Sequence, residues 1–166
     1  MLIRPETPED HAAIHALTQA AFAPMAFSDG TEAGCIDQLR KDGDLALSLV
    51  AAEGDDLIGH VAFSRVMADG VFDGWYGLGP ISVAVDHQKQ GIGTALAMNG
   101  CEALRAQGAK GVALIGNPKV YGPMGFVNNG ALTYRDLPTT LVQQLPFGEA
   151  QMRGVLSFAP ALEVSG

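Results

Sequence analysis

The segment Leu78-Gly-Pro-Ile-Ser-Val-Ala-Val-Asp-His-Gln-Lys-Gln-Gly-Ile-Gly93 joins an apolar run to a glycine-rich loop. Residues 91–107 then place apolar side chains at helical spacing and are followed by Gly108, a typical C-terminal cap. The next apolar run, Gly111 to Ile115, has the length and composition of a buried strand. A strand, a helix of crossover length and a second strand predict a parallel pair, which fixes the fold class as α/β.

The segments on either side predict further elements of the same sheet. Thr7 and Pro8 indicate the start of a helix that ends near Phe22. The other expected elements are a first strand at 2–5, a helix over 31–41, antiparallel strands at 45–52 and 57–66, a strand at 75–85, one helical turn within 119–124, and weaker strands at 132–135 and 152–158. We therefore expect a mixed sheet with antiparallel N-terminal strands and a central parallel pair flanked by helices, in a single domain over 1–166.

Composition narrows the classes of function. A net charge of -8 and a pI near 4.7 disfavour nucleic-acid binding, which depends on clustered basic residues. No apolar run approaches the roughly 20 residues that a membrane span needs, and the N-terminus lacks a signal peptide, so a cytoplasmic location without a membrane partner is expected. Cys35 and Cys101 have no neighbours at metal-ligand spacing, so no metal site is expected.

The loop before the predicted helix has the chemistry of an anion site. N–H groups at a helix start attract negative charge, Gly91 and Gly93 allow a phosphate to approach the backbone, and Lys89 adds a cation. Alternatively, the glycines only allow the helix to pack closely on the sheet. A dinucleotide fingerprint would require glycine where Leu96 stands and a carboxylate after the next strand, and both are missing.

The motif Gln88-x-x-Gly91-x-Gly93 after an apolar strand resembles the pyrophosphate motif of the GNAT superfamily of N-acetyltransferases. The later segment Tyr121-Gly-Pro-Met-Gly-Phe126 is similar to the Tyr-x-x-x-Gly-Phe of that family, and Gly59 to Ser64 resembles a small bacterial subgroup of its predicted members. The resemblance spans roughly 32–126 with the order of elements intact. It implies the splayed-sheet acyl-CoA N-acyltransferase fold, with acetyl-CoA as co-substrate and a bulge at Gly79 and Pro80.

The resemblance also implies roles for individual residues. Tyr121 matches the general acid that protonates the departing thiolate, a role that suits a phenol with a pKa near 10. Asn117 would contact the pantetheine arm from one strand, and the backbone of Ile81, Ser82 and Val83 from the other, with the Val83 N–H as an oxyanion donor. The expected pyrophosphate loop consists of Gln88, Lys89, Gln90, Gly91, Ile92, Gly93 and Thr94.

The general base stays open at this point. Glu32, Asp73, His60 and an ordered water are all candidates, because the strand at 78–85 carries no carboxylate. Phe22, Met25 and Phe27 follow the first helix, where the family shapes its acceptor pocket, although they suit a core equally well.

The favoured hypothesis is direct acetyl transfer to a primary amine on a small molecule or peptide. Two alternatives stay open, namely a coenzyme A-binding sensor or interaction module without catalysis, and a dinucleotide-binding oxidoreductase, which the residue at Leu96 disfavours. The sequence is also compatible with a homodimer in which the final strand is paired or exchanged between subunits.

Overall fold

A computed structural model describes residues 1–25 and 28–163. Its strands are β1 (Leu2–Pro5), β2 (Leu45–Glu53), β3 (Asp56–Arg65), β4 (Met67–Ala68), β5 (Trp75–Val83), β6 (Gly111–Ile115), β7 (Leu132–Thr133), β8 (Val142–Pro146) and β9 (Gly154–Ser157). Its α-helices are α1 (His11–Phe22), α2 (Glu32–Asp42), α3 (Ile92–Ala106), α4 (Pro118–Tyr121) and α5 (Pro160–Glu163). The expected Phe27 lies outside the described residues.

Six strands form the main sheet in the order β1-β2-β3-β5-β6-β8. Every neighbouring pair is antiparallel except β5 and β6, which are parallel and are joined through α3. The predicted mixed α/β sheet, with antiparallel N-terminal strands and a central parallel pair, is therefore confirmed. The remaining strands form a small sheet in the order β4-β9-β7.

Helices cover both faces of the main sheet. On one face, α3 packs on β2, β3, β5 and β6, and Gly100 meets the Phe63 ring so closely that any side chain would overlap it. On the other face lies α1, whose buried Ile14 and Leu17 follow helical spacing. The core between these layers thus holds β3 and β5 in place on both sides.

Three strands near the C-terminus differ from the prediction. The strand β8 fills the outer position of the main sheet beside β6, whereas the predicted strands at 132–135 and 152–158 are shorter and belong to the small sheet. The polar side chains of Gln143 and Gln144 make the sequence of β8 resemble that of a loop. Both are nevertheless buried, because Gln144 exchanges two hydrogen bonds with the Met152 backbone (2.7 and 2.8 Å) and Gln143 donates to Gly116 C=O (2.9 Å).

No helix among the described residues is long and apolar enough to cross a membrane. Over the same residues, His, Cys, Asp and Glu side chains form no cluster of three or more that would suit a metal ion.

Candidate active site

The parallel pair at the centre of the sheet opens after three residues. Trp75 to Gly77 pair with Gly111 to Ala113, and in the described strands the ladder goes no further. Opposite β3, the register moves from Phe63↔Leu78 to Val61↔Ile81, so β5 carries one extra residue. The bulge expected at Gly79 and Pro80 is therefore present, with Gly79 at φ +139. Beyond it, β5 and β6 splay apart.

Along β5, the backbone N–H and C=O groups of every second residue face this opening. Ala84 donates its N–H to the C=O of Ile58 in β3 (2.9 Å), whereas Val83 C=O accepts a hydrogen bond from the Gln88 side chain (3.1 Å). Since polar backbone groups alternate sides along a strand, those of Ile81 and Val83 face away from β3. Those of Ser82 face β3. The splay therefore exposes the backbone of Ile81 and Val83, but not that of Ser82.

The start of α3 lies beside this strand edge. Gly91 takes a left-handed conformation (φ +84), as does Lys89 (φ +64), so the chain turns sharply into the helix. The first helical hydrogen bond runs from Ala95 N–H to Gly91 C=O (3.0 Å). The N–H groups of the preceding residues, 92–94, therefore point out of the helix start, where its dipole favours an anion.

Gly93 has no packing reason to be glycine. A Cβ at this position would meet Val83 Cγ2 at 3.7 Å and Ile81 Cδ1 at 3.9 Å, which are ordinary contacts. Glycine inside a helix costs roughly 0.5–1 kcal/mol relative to alanine. The absence of a side chain leaves room above the free N–H groups, and this arrangement fits a phosphate group lying on the backbone.

One cavity of about 460 Å³ collects most of the predicted site residues. Those that line it are Ile81, Val83, Gln88, Lys89, Gly91, Ile92, Gly93, Thr94 and Tyr121. The structure adds Met25, His87, Val120 and Met124 to the lining, of which only Met25 was expected near a ligand. Ile81, Val83, Val120 and Met124 make much of the wall apolar, while the helix start and Lys89 supply the polar end.

Three predicted residues lie outside the lining of this cavity. The Ser82 side chain is buried on the opposite face of the sheet, 3.4 Å from Thr18 Oγ1. Gln90 is exposed. Asn117 caps α4 by accepting the Lys119 N–H (2.9 Å), which leaves its Nδ2 group as a donor.

Tyr121 stands in the wall of the cavity at the end of α4. Its ring meets Phe126 edge to face, with centroids 5.9 Å apart, and its Cε2 atom lies so close to Gly116 that a side chain there would collide with it. Burial raises the pKa of the Tyr121 phenol above its ordinary value. The hydroxyl is therefore fully protonated at neutral pH and can donate a proton to a group that becomes strongly basic.

None of the three side-chain candidates for a general base lines the cavity. Asp73 forms an ion pair with Lys110 (2.7 Å) just before the first residue of β5, at the other end of the strand from Val83. Glu32 accepts a hydrogen bond from Ser28 Oγ (2.7 Å). His60 is completely buried in β3, directly opposite Ser82.

His60 is part of a buried hydrogen-bond chain that leads away from the cavity. Its Nε2 lies 2.7 Å from Ser48 Oγ, and Ser48 hydrogen-bonds to the Glu6 carboxylate, which also binds Arg40 and His11. Because Ser48 has a single proton to donate, His60 Nε2 carries hydrogen and Nδ1 is left with a lone pair. That Nδ1 atom has no hydrogen-bond partner among the described residues. Burial lowers the pKa of His60 to about 4, against an opposing contribution from Glu6.

A model of the acetyltransferase (GNAT) family matches residues 13–126. The chain belongs to the GNAT acetyltransferase family. This GNAT protein is 37% identical over 127 residues to the uncharacterised N-acetyltransferase YhbS of Escherichia coli strain K12, a match that covers 76% of this chain and 73% of YhbS. The family resemblance expected from Gln88 to Gly93 and from Tyr121 to Phe126 is confirmed.

Two solved structures are similar over nearly the whole of this GNAT chain. A GNAT family acetyltransferase from Brucella melitensis in complex with acetyl-CoA has a TM-score of 0.88 and 39% identity, covering 98% of this chain and 97% of that chain. The E. coli YhbS protein in complex with CoA has a TM-score of 0.90 and 29% identity, covering 99% and 93%. The fold of this family member is therefore the GNAT fold.

Proposed function

We propose that this GNAT protein binds acetyl-CoA in the 460 Å³ cavity and transfers the acetyl group to a primary amine. The observation that carries the proposal is the meeting of three features in one wall: the free N–H groups at the start of α3, the exposed backbone of Ile81 and Val83, and Tyr121. The two similar proteins that were crystallised with acetyl-CoA and CoA support it.

The residues suggest an order of binding along the cavity. The N–H groups of Ile92, Gly93 and Thr94 would hold the pyrophosphate, with Lys89 as a nearby cation. The pantetheine arm would extend the sheet by pairing with Ile81 and Val83, as a peptide strand does at an open sheet edge. Asn117 Nδ2 would donate to the arm from the side of β6.

The transfer follows from this placement. The neutral amine attacks the thioester carbon, a C–N bond forms, and the oxygen takes up negative charge, which a backbone N–H on the splayed edge of β5 would stabilise. The C–S bond then breaks, and Tyr121 gives its proton to the leaving thiolate. The proton lost by the amine nitrogen passes to water, and Tyr121 regains its proton from solvent, so that the products are an acetamide and CoA thiol.

A catalytically weak or inactive acyl-CoA sensor is the second candidate function. It is favoured by one observation, that no carboxylate of the described residues lines the cavity and His60 is buried away from it. A sensor would bind acetyl-CoA through the same helix start but would release no CoA in the presence of amines.

Acetyl-CoA should raise the melting temperature of the protein, because a ligand that binds only the folded state stabilises it by about 2.7 kcal/mol at a hundredfold excess over Kd. NADH is the matched control and should give no shift, since the loop lacks the dinucleotide fingerprint. Release of CoA thiol is then followed with a panel of primary amines. Amine-dependent release supports the enzyme, a melting shift without release supports the sensor, and the absence of any shift with acetyl-CoA contradicts both.

A further inference from the structure

A second, smaller cavity borders the same splay. It measures about 240 Å³, and its lining residues are Gly77, Leu78, Gly79, Pro80, Ile115, Tyr134, Phe158 and Leu162. Gly77 to Pro80 belong to β5 at the point where its pairing with β6 stops, and Ile115 is the last residue of β6. The cavity therefore touches both strands on either side of the opening.

The two cavities lie on opposite faces of the main sheet. Phe63 points toward α3, where its ring meets Gly100. The next residue, Ser64, is the partner of Gly77, and a Cβ on Gly77 would meet Val66 and the Phe158 ring. Since successive residues of a strand point to opposite faces, Phe158 lies on the face away from α3. An acetyl group held in the splay from one side is thus open to attack from the other.

Among the described residues, the walls of the small cavity offer no free charge. The Glu163 carboxylate beside Tyr134 already accepts hydrogen bonds from the Tyr134 hydroxyl (2.9 Å) and the Phe158 N–H (2.7 Å), and it is paired with Arg135 (2.6 Å). Burial and Glu163 together raise the pKa of Tyr134 to about 12, so its hydroxyl stays neutral. The ring of Tyr134 packs edge to face on Phe158, with centroids 5.2 Å apart. Apolar and aromatic surface therefore dominates the lining.

The apolar lining disfavours acceptors that carry a second charge. A second charge on the acceptor, such as the carboxylate of an amino acid or the further ammonium groups of a polyamine, would lose its hydration here without gaining an ionic partner. An acceptor with a single, neutral amine can instead donate hydrogen bonds to backbone carbonyls of β5, where the pairing with β6 ends after Gly77. The cavity holds roughly eight water molecules, so a compact group is enough to fill it.

We propose that the 240 Å³ cavity is the acceptor site and that the acceptor is a primary amine carried on a compact apolar or aromatic body. The inference rests on the proposed function, because it takes the acetyl group to lie in the splay. It assigns Leu162, on the C-terminal helix α5, as a residue that determines specificity.

The test compares phenylethylamine with putrescine and glycine as acceptors, using the full chain and saturating acetyl-CoA. We expect kcat/KM for phenylethylamine to exceed that for putrescine or glycine, each of which carries a second charged group, by at least about tenfold. In Leu162→Trp, which fills the cavity, KM for phenylethylamine should rise by about tenfold while the Kd of acetyl-CoA is unchanged. Leu137→Trp is the matched control, because Leu137 is an exposed leucine outside the cavity and its replacement should alter neither value.

A second variant tests the same position without a large side chain that could disturb the fold. Leu162→Asp places a carboxylate in the lining and should shift the preference toward putrescine by about tenfold, since an ammonium then finds a partner. Preference of the wild-type protein for putrescine or glycine, or a Leu162→Trp variant with an unchanged KM, would overturn the inference. If acetyl-CoA binds and another primary amine is acetylated but phenylethylamine is not, only this inference fails. If acetyl-CoA does not bind, the proposed function fails as well.

Discussion

Replacing Tyr121 by Phe is expected to lower kcat for acetyl transfer by about a hundredfold, the lower end of what a general acid contributes. The lower end applies because a thiolate is a less basic leaving group than an amine or an alkoxide. Phe keeps the ring between Gly116 and Phe126, so only the proton donor is removed. The Kd of acetyl-CoA should therefore change by less than about twofold, a split between kcat and binding that marks a role in the transition state.

The matched control is Tyr76→Phe. Tyr76 is also a partly buried tyrosine, but it belongs to β5 and lies outside the 460 Å³ cavity. Its ring packs edge to face on Phe72, so the two substitutions are alike in packing. Steady-state kinetics with a saturating amine, together with calorimetric titration of acetyl-CoA, measure both quantities. A Tyr121→Phe protein with full turnover would show that another group protonates the thiolate.

His60 should make the fold sensitive to mild acid. Its pKa falls from about 6.5 in the unfolded chain to about 4 in the folded protein, because burial disfavours the charged ring. As the pH drops through this window the unfolded state takes up the proton first, so the free energy of unfolding decreases. Over the whole window the difference corresponds to about 3 kcal/mol, of which about 2 kcal/mol is lost between about pH 7 and about pH 5.

Urea unfolding of the wild-type protein and of His60→Gln at these two pH values measures the effect. The variant loses some stability at both pH values, because Ser48 loses its imidazole partner, but its dependence on pH in this window should be nearly flat. Asp10 and Glu6 contribute little between these pH values, because carboxyl groups titrate near about pH 4 in the unfolded chain. In the folded protein Arg4 lowers the pKa of Asp10 further, and, against the opposing effect of burial, Arg40 lowers that of Glu6. Equal slopes for the two proteins would mean that the His60 ring is hydrated in solution.

Local sequence patterns predicted those parts of the fold that depend on neighbouring residues. The helix α3 between β5 and β6 followed from the apolar spacing in 91–107, whereas the bulge at Gly79 and Pro80 was implied by the family resemblance. The strand β8 was missed because its glutamines are buried through hydrogen bonds to distant backbone, from Gln143 to Gly116 and between Gln144 and Met152. Such pairings between distant segments leave no periodic signal in the sequence.

In the candidate site, too, residues close together in the sequence were predictable and those from distant segments were not. The loop from Gln88 to Thr94 was recognisable because phosphate chemistry requires glycine, a cation and free N–H groups in a short span. The second cavity was not, because Tyr134, Phe158 and Leu162 come from separate C-terminal segments that only the folded chain brings to β5. The burial of His60 was equally invisible, since it depends on Ser48 in the neighbouring strand β2 and on Glu6, which follows β1.

The central claim is that acetyl-CoA lies on the start of α3, and calorimetric titration of acetyl-CoA into Gly93→Ala tests it most directly. A methyl group on Gly93 fits the protein itself, so the variant should be as stable as the wild type or more stable by about 0.5 kcal/mol. It would nevertheless stand between the phosphates and the N–H groups, and the loss of one hydrogen bond corresponds to about a tenfold weaker Kd.

Gly34→Ala is the control for this titration. Gly34 lies in α2 with open space around it, and it lines a larger depression of about 780 Å³ between α1, α2 and α5. Gly93→Ala should bind acetyl-CoA about tenfold more weakly than the wild type, whereas Gly34→Ala should bind it equally well. Undiminished binding by Gly93→Ala, or a loss confined to Gly34→Ala, would contradict the placement of the cofactor at α3.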